Sequence, residues 1–377
     1  MVAAPAPPPV VPDASVHPQR ARIHIPSLDG LRAISFFIVF AAHAGLDWIV
    51  PGGFGVTVFF FLSGYLITTL MRVEADRSGH VSLRNFYLRR ALRILPPFYI
   101  VLLGALAVAE VGLTRAPTTP QAMPVASQLL HFSNYWIAIR GWDGIPTGTG
   151  VYWSLAVEEH FYLIFPTVFL LLGRLRFTGR QQAFAFWGLC AAVLAWRCVL
   201  VLVLSAKSGR TYLCSDTRID SIAFGCALAV WKNPVLDGLR DRRPPWVSRP
   251  GLLFVAGLAL LMGSFLVRDG VFRETLRYTL QGIGLTPIFA VVVRWPSWPG
   301  FRPLNWRPLR FIGTLSYSLY LVHQVAIAVV DQHLRLRLPG VARAAVALGI
   351  SFSIAWLLYR VVEKPCARLR RKLSVAD

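Results

Sequence analysis

The sequence predicts an all-α protein: a polytopic membrane bundle of about ten transmembrane helices with both termini in the cytoplasm. Three observations predict it. The 377 residues are 55% hydrophobic and only 15% charged, a balance foreign to ordinary soluble domains. Apolar runs of bilayer length recur along most of the chain. Basic residues alternate between rich and poor loops, as the positive-inside rule requires. The formal net charge of +21 therefore reads as arginine facing an anionic leaflet, with the lipid bilayer as partner and no nucleic acid.

Residues 1–25 are rich in Pro and Ala without an apolar core, so they read as a disordered cytoplasmic tail and not as a cleavable signal peptide. A membrane domain is expected over 26–365 and a basic cytoplasmic tail over 366–377. Candidate spans run roughly 31–50, 53–71, 94–113, 152–172, 183–205, 217–232, 250–267, 276–294, 311–331 and 341–362. The sixth is short, as a tilted, broken or enclosed helix would be. Even-numbered loops carry the arginine: Arg72 to Arg93, Arg174 to Arg180, Arg240 to Arg249, and Arg302 to Arg310. The third loop, about 114–151, is the longest on the opposite side, with many Pro and Gly residues and with Tyr135, Trp136 and Trp142. Those aromatics suit an interfacial belt or a sugar-binding wall. Neither an internal repeat nor a soluble domain after the last span is visible. Cys190, Cys198, Cys214, Cys226 and Cys366 form no C-x-x-C pair, so no metal site or disulfide framework is expected.

The first span is expected to start with Asp29 as N-cap and Gly30 in the turn. Arg32 and His43 then share a helix face, about 16 Å apart along the axis. Ionisable residues inside a membrane helix are costly and point to function, although a single histidine also serves as an ordinary packed residue. Arg89, Arg90 and Arg93 cluster at the mouth of the third span, where arginine forks suit phosphate and equally anchor topology. Glu158 and Glu159 are adjacent, so at most one faces a given partner well. Ser154, Glu158 and Tyr162 recur every four residues on one face, which makes Glu158 the better partner for a buried cation. Gly55, Ser63 and Gly64 suit close helix packing. Arg218 and Asp220 open the sixth span, and Ser316, Tyr317 and His323 fall early in the ninth.

Together these stretches carry a resemblance. They are L-D-G-L-R-A with Arg-x10-His, F-F-F-L-S-G-Y at 59–65, Y-x-R-R-x-x-R-I-x-P at 87–96, W-S-L-x-V-E-E-x-F-Y at 153–162, R-x-D at 218–220, L-S-Y-x-x-Y-L-x-H at 315–323 and the terminal E-K-P. Nearly the whole chain after residue 25 resembles acyltransferase family 3, the bacterial integral-membrane O-acyltransferases, in its bare membrane form. Where the family commonly has Gln after the Glu pair, this chain has His160. The resemblance implies a multi-pass protein of the bacterial inner membrane. It implies transfer of an acyl group, acetyl above all, from acyl-CoA to a hydroxyl of a carbohydrate or a glycosylated small molecule, without a metal. His43 is then the natural general base, or it could carry the acyl group as a nucleophile. Glu158 would orient His43 or pair with an arginine. Arg32, Arg89, Arg90 and Arg93 would bind the coenzyme. Ser154, Glu159, Tyr162, Arg218, Asp220, Ser316, Tyr317 and His323 would contact substrate or support the site. The other reading, a transporter or flippase of an anionic or acylated substrate, would also place polar residues at mid-membrane, but it usually brings internal repeats.

Overall fold

The computed structural model describes residues 25–114, 122–207, 209–237 and 249–373. The expected tail at 1–24, and Arg115, Arg240, Arg242 and Arg243 of the expected loops, lie outside the described residues. All regular structure among the described residues is helical, in the order α1 (Pro26–Ala41), α2 (Gly52–Ser78), α3 (Leu83–Glu110), α4 (Ala122–Leu129), α5 (Ser133–Arg140), α6 (Tyr152–Arg174), α7 (Gly179–Cys198), α8 (Arg210–Leu213), α9 (Ser215–Val230), α10 (Pro250–Leu266), α11 (Gly270–Glu274), α12 (Leu276–Arg294), α13 (Arg307–Leu334), α14 (Gly340–Leu358) and α15 (Lys364–Arg371). Wider π-helical turns extend α1 through Ala42–Leu46 and α7 through Val199–Val203, and join α14 to α15 through Tyr359–Glu363.

Eight of these continuous helical stretches are long and apolar enough to cross a membrane. Two shorter helices, α9 and the apolar α10, stand where the two remaining spans were expected. Nearly every residue of α9 is buried, so it is a helix enclosed by protein. The third loop holds two helices, α4 and α5, that its Pro and Gly content does not announce. Basic ends also lengthen helices beyond their apolar runs: α3 begins at Leu83, which places the arginine cluster inside it. At the start of α1, Ile25 and not Asp29 is the cap, because Pro26 opens the helix with its φ already set. Asp29 lies in the first turn, where a carboxylate suits the helix dipole. Gly30 serves close approach: a Cβ there would lie 2.2 Å from the Leu304 carbonyl oxygen.

Helices in lipid need small residues to bring their backbones together. A Cβ on Gly64 of α2 would lie 2.0 Å from the Ile222 carbonyl oxygen of α9, and one on Gly225 of α9 would lie 2.1 Å from the Phe61 carbonyl oxygen of α2. The two glycines thus seat α2 and α9 reciprocally.

One buried ion pair fastens the neighbouring helices. Arg197 of α7 and Asp220 of α9 are both fully buried and meet at 2.8 Å. Arg197 also donates to the carbonyls of Thr217 and Thr275 and to the hydroxyl of Thr279. Asp220 is therefore occupied with holding α7, α9 and α12 together. Its motif neighbour Arg218 is not its partner, because two helical steps of about 100° turn the two side chains to opposite sides of α9.

Two outcomes test this framework. Gly64→Ala costs about 1–3 kcal/mol by overpacking, whereas Gly104→Ala, which meets open space, lowers the unfolding temperature of the detergent-solubilised protein not at all. Asp220→Asn leaves Arg197 without its counter-charge and costs about 3–5 kcal/mol, while the double change Arg197→Met with Asp220→Leu recovers most of that loss.

Candidate functional site

Two cavities in the bundle meet at two shared residues, Val56 of α2 and Tyr320 of α13. The first, of about 240 Å³, gathers side chains from α1, α2, α3, α6 and α13. Arg32, Arg90, Arg93, Ser154, Glu158, Glu159, Tyr162, Ser316 and Tyr317 all line it, so nine of the expected site residues share one space. Both adjacent glutamates reach it.

The expected face made of Ser154, Glu158 and Tyr162 is present, and each side chain is held. The Ser63 hydroxyl donates to Glu158 Oε1 at 2.5 Å and accepts from the Tyr162 hydroxyl at 3.1 Å. Ser154 Oγ lies 2.7 Å from the Tyr320 hydroxyl. Ser63, expected to serve packing, is thus a polar partner in the site. Arg90 lies over the rings of Phe86 and Tyr162, at 5.8 and 5.6 Å from their centroids. Neither Arg90 nor Arg93 makes an ion pair with a carboxylate among the described residues, and Arg32 has only Asp29 at 4.0 Å. Arg89 departs from expectation. It pairs with Glu74 at 2.6 Å, donates to the Leu373 carbonyl, and does not line the cavity.

His43 opens onto the second cavity, of about 890 Å³. Arg32 and His43, expected about 16 Å apart along one helix, line different cavities. The α-helical spacing ends at Ala41, and His43 sits in the π turn that follows, which Gly45 closes at φ 100°. Such turns are often found at functional sites. Glu158 does not orient His43 either: it lines the first cavity and not the second.

The partner of His43 is His323, fully buried on α13. His43 Nδ1 lies 3.0 Å from His323 Nε2, and His323 Nδ1 lies 2.8 Å from the Tyr320 carbonyl oxygen. A carbonyl only accepts, so His323 Nδ1 carries a proton. In the neutral ring His323 Nε2 must then accept, and His43 Nδ1 donates to it. This chain leaves His43 Nε2 with a free lone pair. The rings of Phe36 and Phe40 pack against His323 and wall it off.

Arg218 lines neither cavity. It is enclosed between them by Phe60 of the first and by Tyr212 and Tyr278 of the second. Tyr135, Trp136 and Trp142 of the third loop line neither cavity, and the Tyr135 hydroxyl donates to Asp216. Among the described residues no three His, Cys, Asp or Glu side chains converge as metal ligands.

Sequence reasoning missed two residues that matter here. Tyr320 stands in the same motif as Ser316, Tyr317 and His323, at helical spacing from them, and that spacing is a usable signal. Arg197 is a charge inside an apolar run, which by itself marks a buried partner.

Comparison with known proteins agrees with this architecture. A family model described as "Acyltransferase domain" matches residues 25–360. A peptidoglycan O-acetyltransferase of Listeria monocytogenes is 29% identical over 358 residues, covering 92% of this chain and 56% of that protein. A putative peptidoglycan O-acetyltransferase of Bacillus subtilis is 28% identical over 93% of this chain and 56% of its own length. A putative O-acetyltransferase of Staphylococcus aureus is 29% identical over 91% of this chain and 57% of its own length. The chain thus spans little more than half the length of these relatives. No solved structure matches it. With a multi-pass bundle and a family match over nearly the whole chain, the protein belongs to this family of membrane acyltransferases.

Proposed function

We propose that the protein moves an acetyl group from acetyl-CoA to a hydroxyl of a surface or lipid-linked glycan or of a secreted glycosylated metabolite. The observation that carries this reading is the abutment of the two cavities at Val56 and Tyr320, with arginines in one and a tautomer-fixed imidazole in the other. The relatives' names favour a glycan as acceptor. Loop arginines argue for the arginine cavity on the cytoplasmic side, where the donor is made, within the bacterial inner membrane.

In this mechanism Arg32, Arg90 and Arg93 hold the phosphates of the coenzyme, a task that suits arginine forks, of which only that of Arg32 has a carboxylate beside it. The thioester arm reaches past Tyr320 toward His43. His43 Nε2 takes the proton of the acceptor hydroxyl as its oxygen attacks the thioester carbonyl. The C–S bond breaks, the thiolate leaves with the coenzyme, and His43 returns the proton to that sulfur. The same lone pair could first take the acyl group as a nucleophile and pass it to the hydroxyl afterwards. In either sequence His323 is a positioning residue: it sets the tautomer of His43.

Two sets of variants test this reading in a purified transfer assay. His43→Ala inserts in the membrane normally and loses about 10²–10⁴ in rate. His323→Gln, whose amide oxygen still accepts the Nδ1 proton, retains more activity than His323→Leu. Wild-type turnover by His43→Ala would remove the imidazole from the mechanism. At the other end, Arg90→Ala or Arg93→Ala raises the apparent KM for acetyl-CoA roughly 10–100-fold and moves the acceptor KM less. Lysine restores part of the loss. An unchanged donor KM in both variants would reduce these arginines to topology anchors.

A further inference from the structure

The second cavity holds a charge imbalance that the transfer mechanism does not use. Tyr278, one of its wall residues, has three guanidinium groups around its ring: Arg218 at 3.9 Å, Arg277 at 5.0 Å and Arg197 at 5.4 Å from the centroid. Only Arg197 has a carboxylate, because Asp220 is bound to it.

Arg218 is 0% exposed and makes one hydrogen bond, from Nη2 to the Thr57 hydroxyl at 3.0 Å. Its Nε and Nη1 have no partner. Arg277 lines the cavity itself, donates to the Tyr278 hydroxyl at 2.9 Å, and leaves Nε without a partner. Arg268 and Arg273 also line the cavity, against the carboxylates of Asp47 and Glu274. Glu274 accepts a hydrogen bond from Thr211. No ion pair joins the cavity's arginines to either carboxylate.

A buried cation without a counter-charge is costly, and cation–π contacts offset only part of that cost. An ionisable group kept inside a membrane bundle without a counter-charge marks a candidate ligand site. We propose that the second cavity contains an anion subsite, contacted by Arg277 and backed through the Tyr212–Tyr278 wall by Arg218. Its ligand is a carboxylate or phosphate on the same acceptor molecule whose hydroxyl meets His43. The inference rests on the acceptor entering this cavity, as proposed above. It narrows the acceptor class to acidic saccharides or phosphate-bearing glycans.

The test measures binding, separately from transfer. The purified full chain in nanodiscs is titrated with a hexuronate oligosaccharide and its methyl ester, and with a saccharide phosphate and its dephosphorylated form. At least one charged probe binds ten-fold or more tightly than its neutral counterpart, and the better of the two names the source of the anion. Arg277→Gln, matched to wild type in unfolding temperature, reduces that ratio to near one. Arg218→Gln reduces it as well if it folds, but the result stands on Arg277→Gln alone. Equal binding of charged and neutral probes by wild type, or a preference that survives Arg277→Gln, would overturn the subsite. Charge-selective binding without acetyl transfer would leave the subsite standing and count against the transfer reaction instead.

Discussion

Lipid gives helices no hydrophobic reason to associate, so everything in this bundle depends on backbones that come close enough to interlock. Gly64 and Gly225 provide that closeness at the centre. Each receives a carbonyl of the opposing helix where any side chain would stand. This pairing holds α2 against α9, and α2 then carries Ser63 into one cavity, Gly53 into the other and Val56 into both. The polar fastening of Arg197 to Asp220 sits on the far side of α9 and links it to α7 and α12. The short, buried α9 is thus clamped by small residues on one flank and by charge on the other, and Arg218 is sealed between the cavities as a result.

Much of this was legible in the sequence, and the reasons are physical. Bilayer-length apolar runs marked every long helix, because a single segment in lipid can satisfy its own backbone only as a helix. Side chains four residues apart, such as Ser154, Glu158 and Tyr162, reached the cavity face that uniform helical geometry assigned them. What escaped was whatever depends on a departure from uniform geometry or on a neighbour remote in sequence. The π turn at Ala42–Leu46 carries His43, and no side-chain pattern announces it. The ion-pair partner of Asp220 comes from α7, and that of Arg89 is Glu74 on α2. Composition says that a charge must be matched, but only the fold says by which residue. Helices α4 and α5 were hidden for a related reason: Pro and Gly at the ends of a loop say little about the residues between them.

In the proposed reaction the cavities would separate two tasks that a single pocket would mix. Phosphate recognition calls for fixed cations, whereas proton transfer calls for a group free to change charge. Arg32, Arg90 and Arg93 line one space, and His43 lines the other together with Arg268, Arg273 and Arg277.

Tyr320 serves both spaces through different ends of one residue. Its hydroxyl bonds to Ser154 and to the Val151 carbonyl, and its ring forms part of the wall between the cavities. Its own carbonyl belongs to the backbone of α13 and holds His323. Rotation about the Cα–Cβ bond moves the ring and leaves the carbonyl where the helix keeps it. A partition and a peg are therefore built into the same residue: the ring closes the wall between the cavities, and the carbonyl pins the imidazole pair.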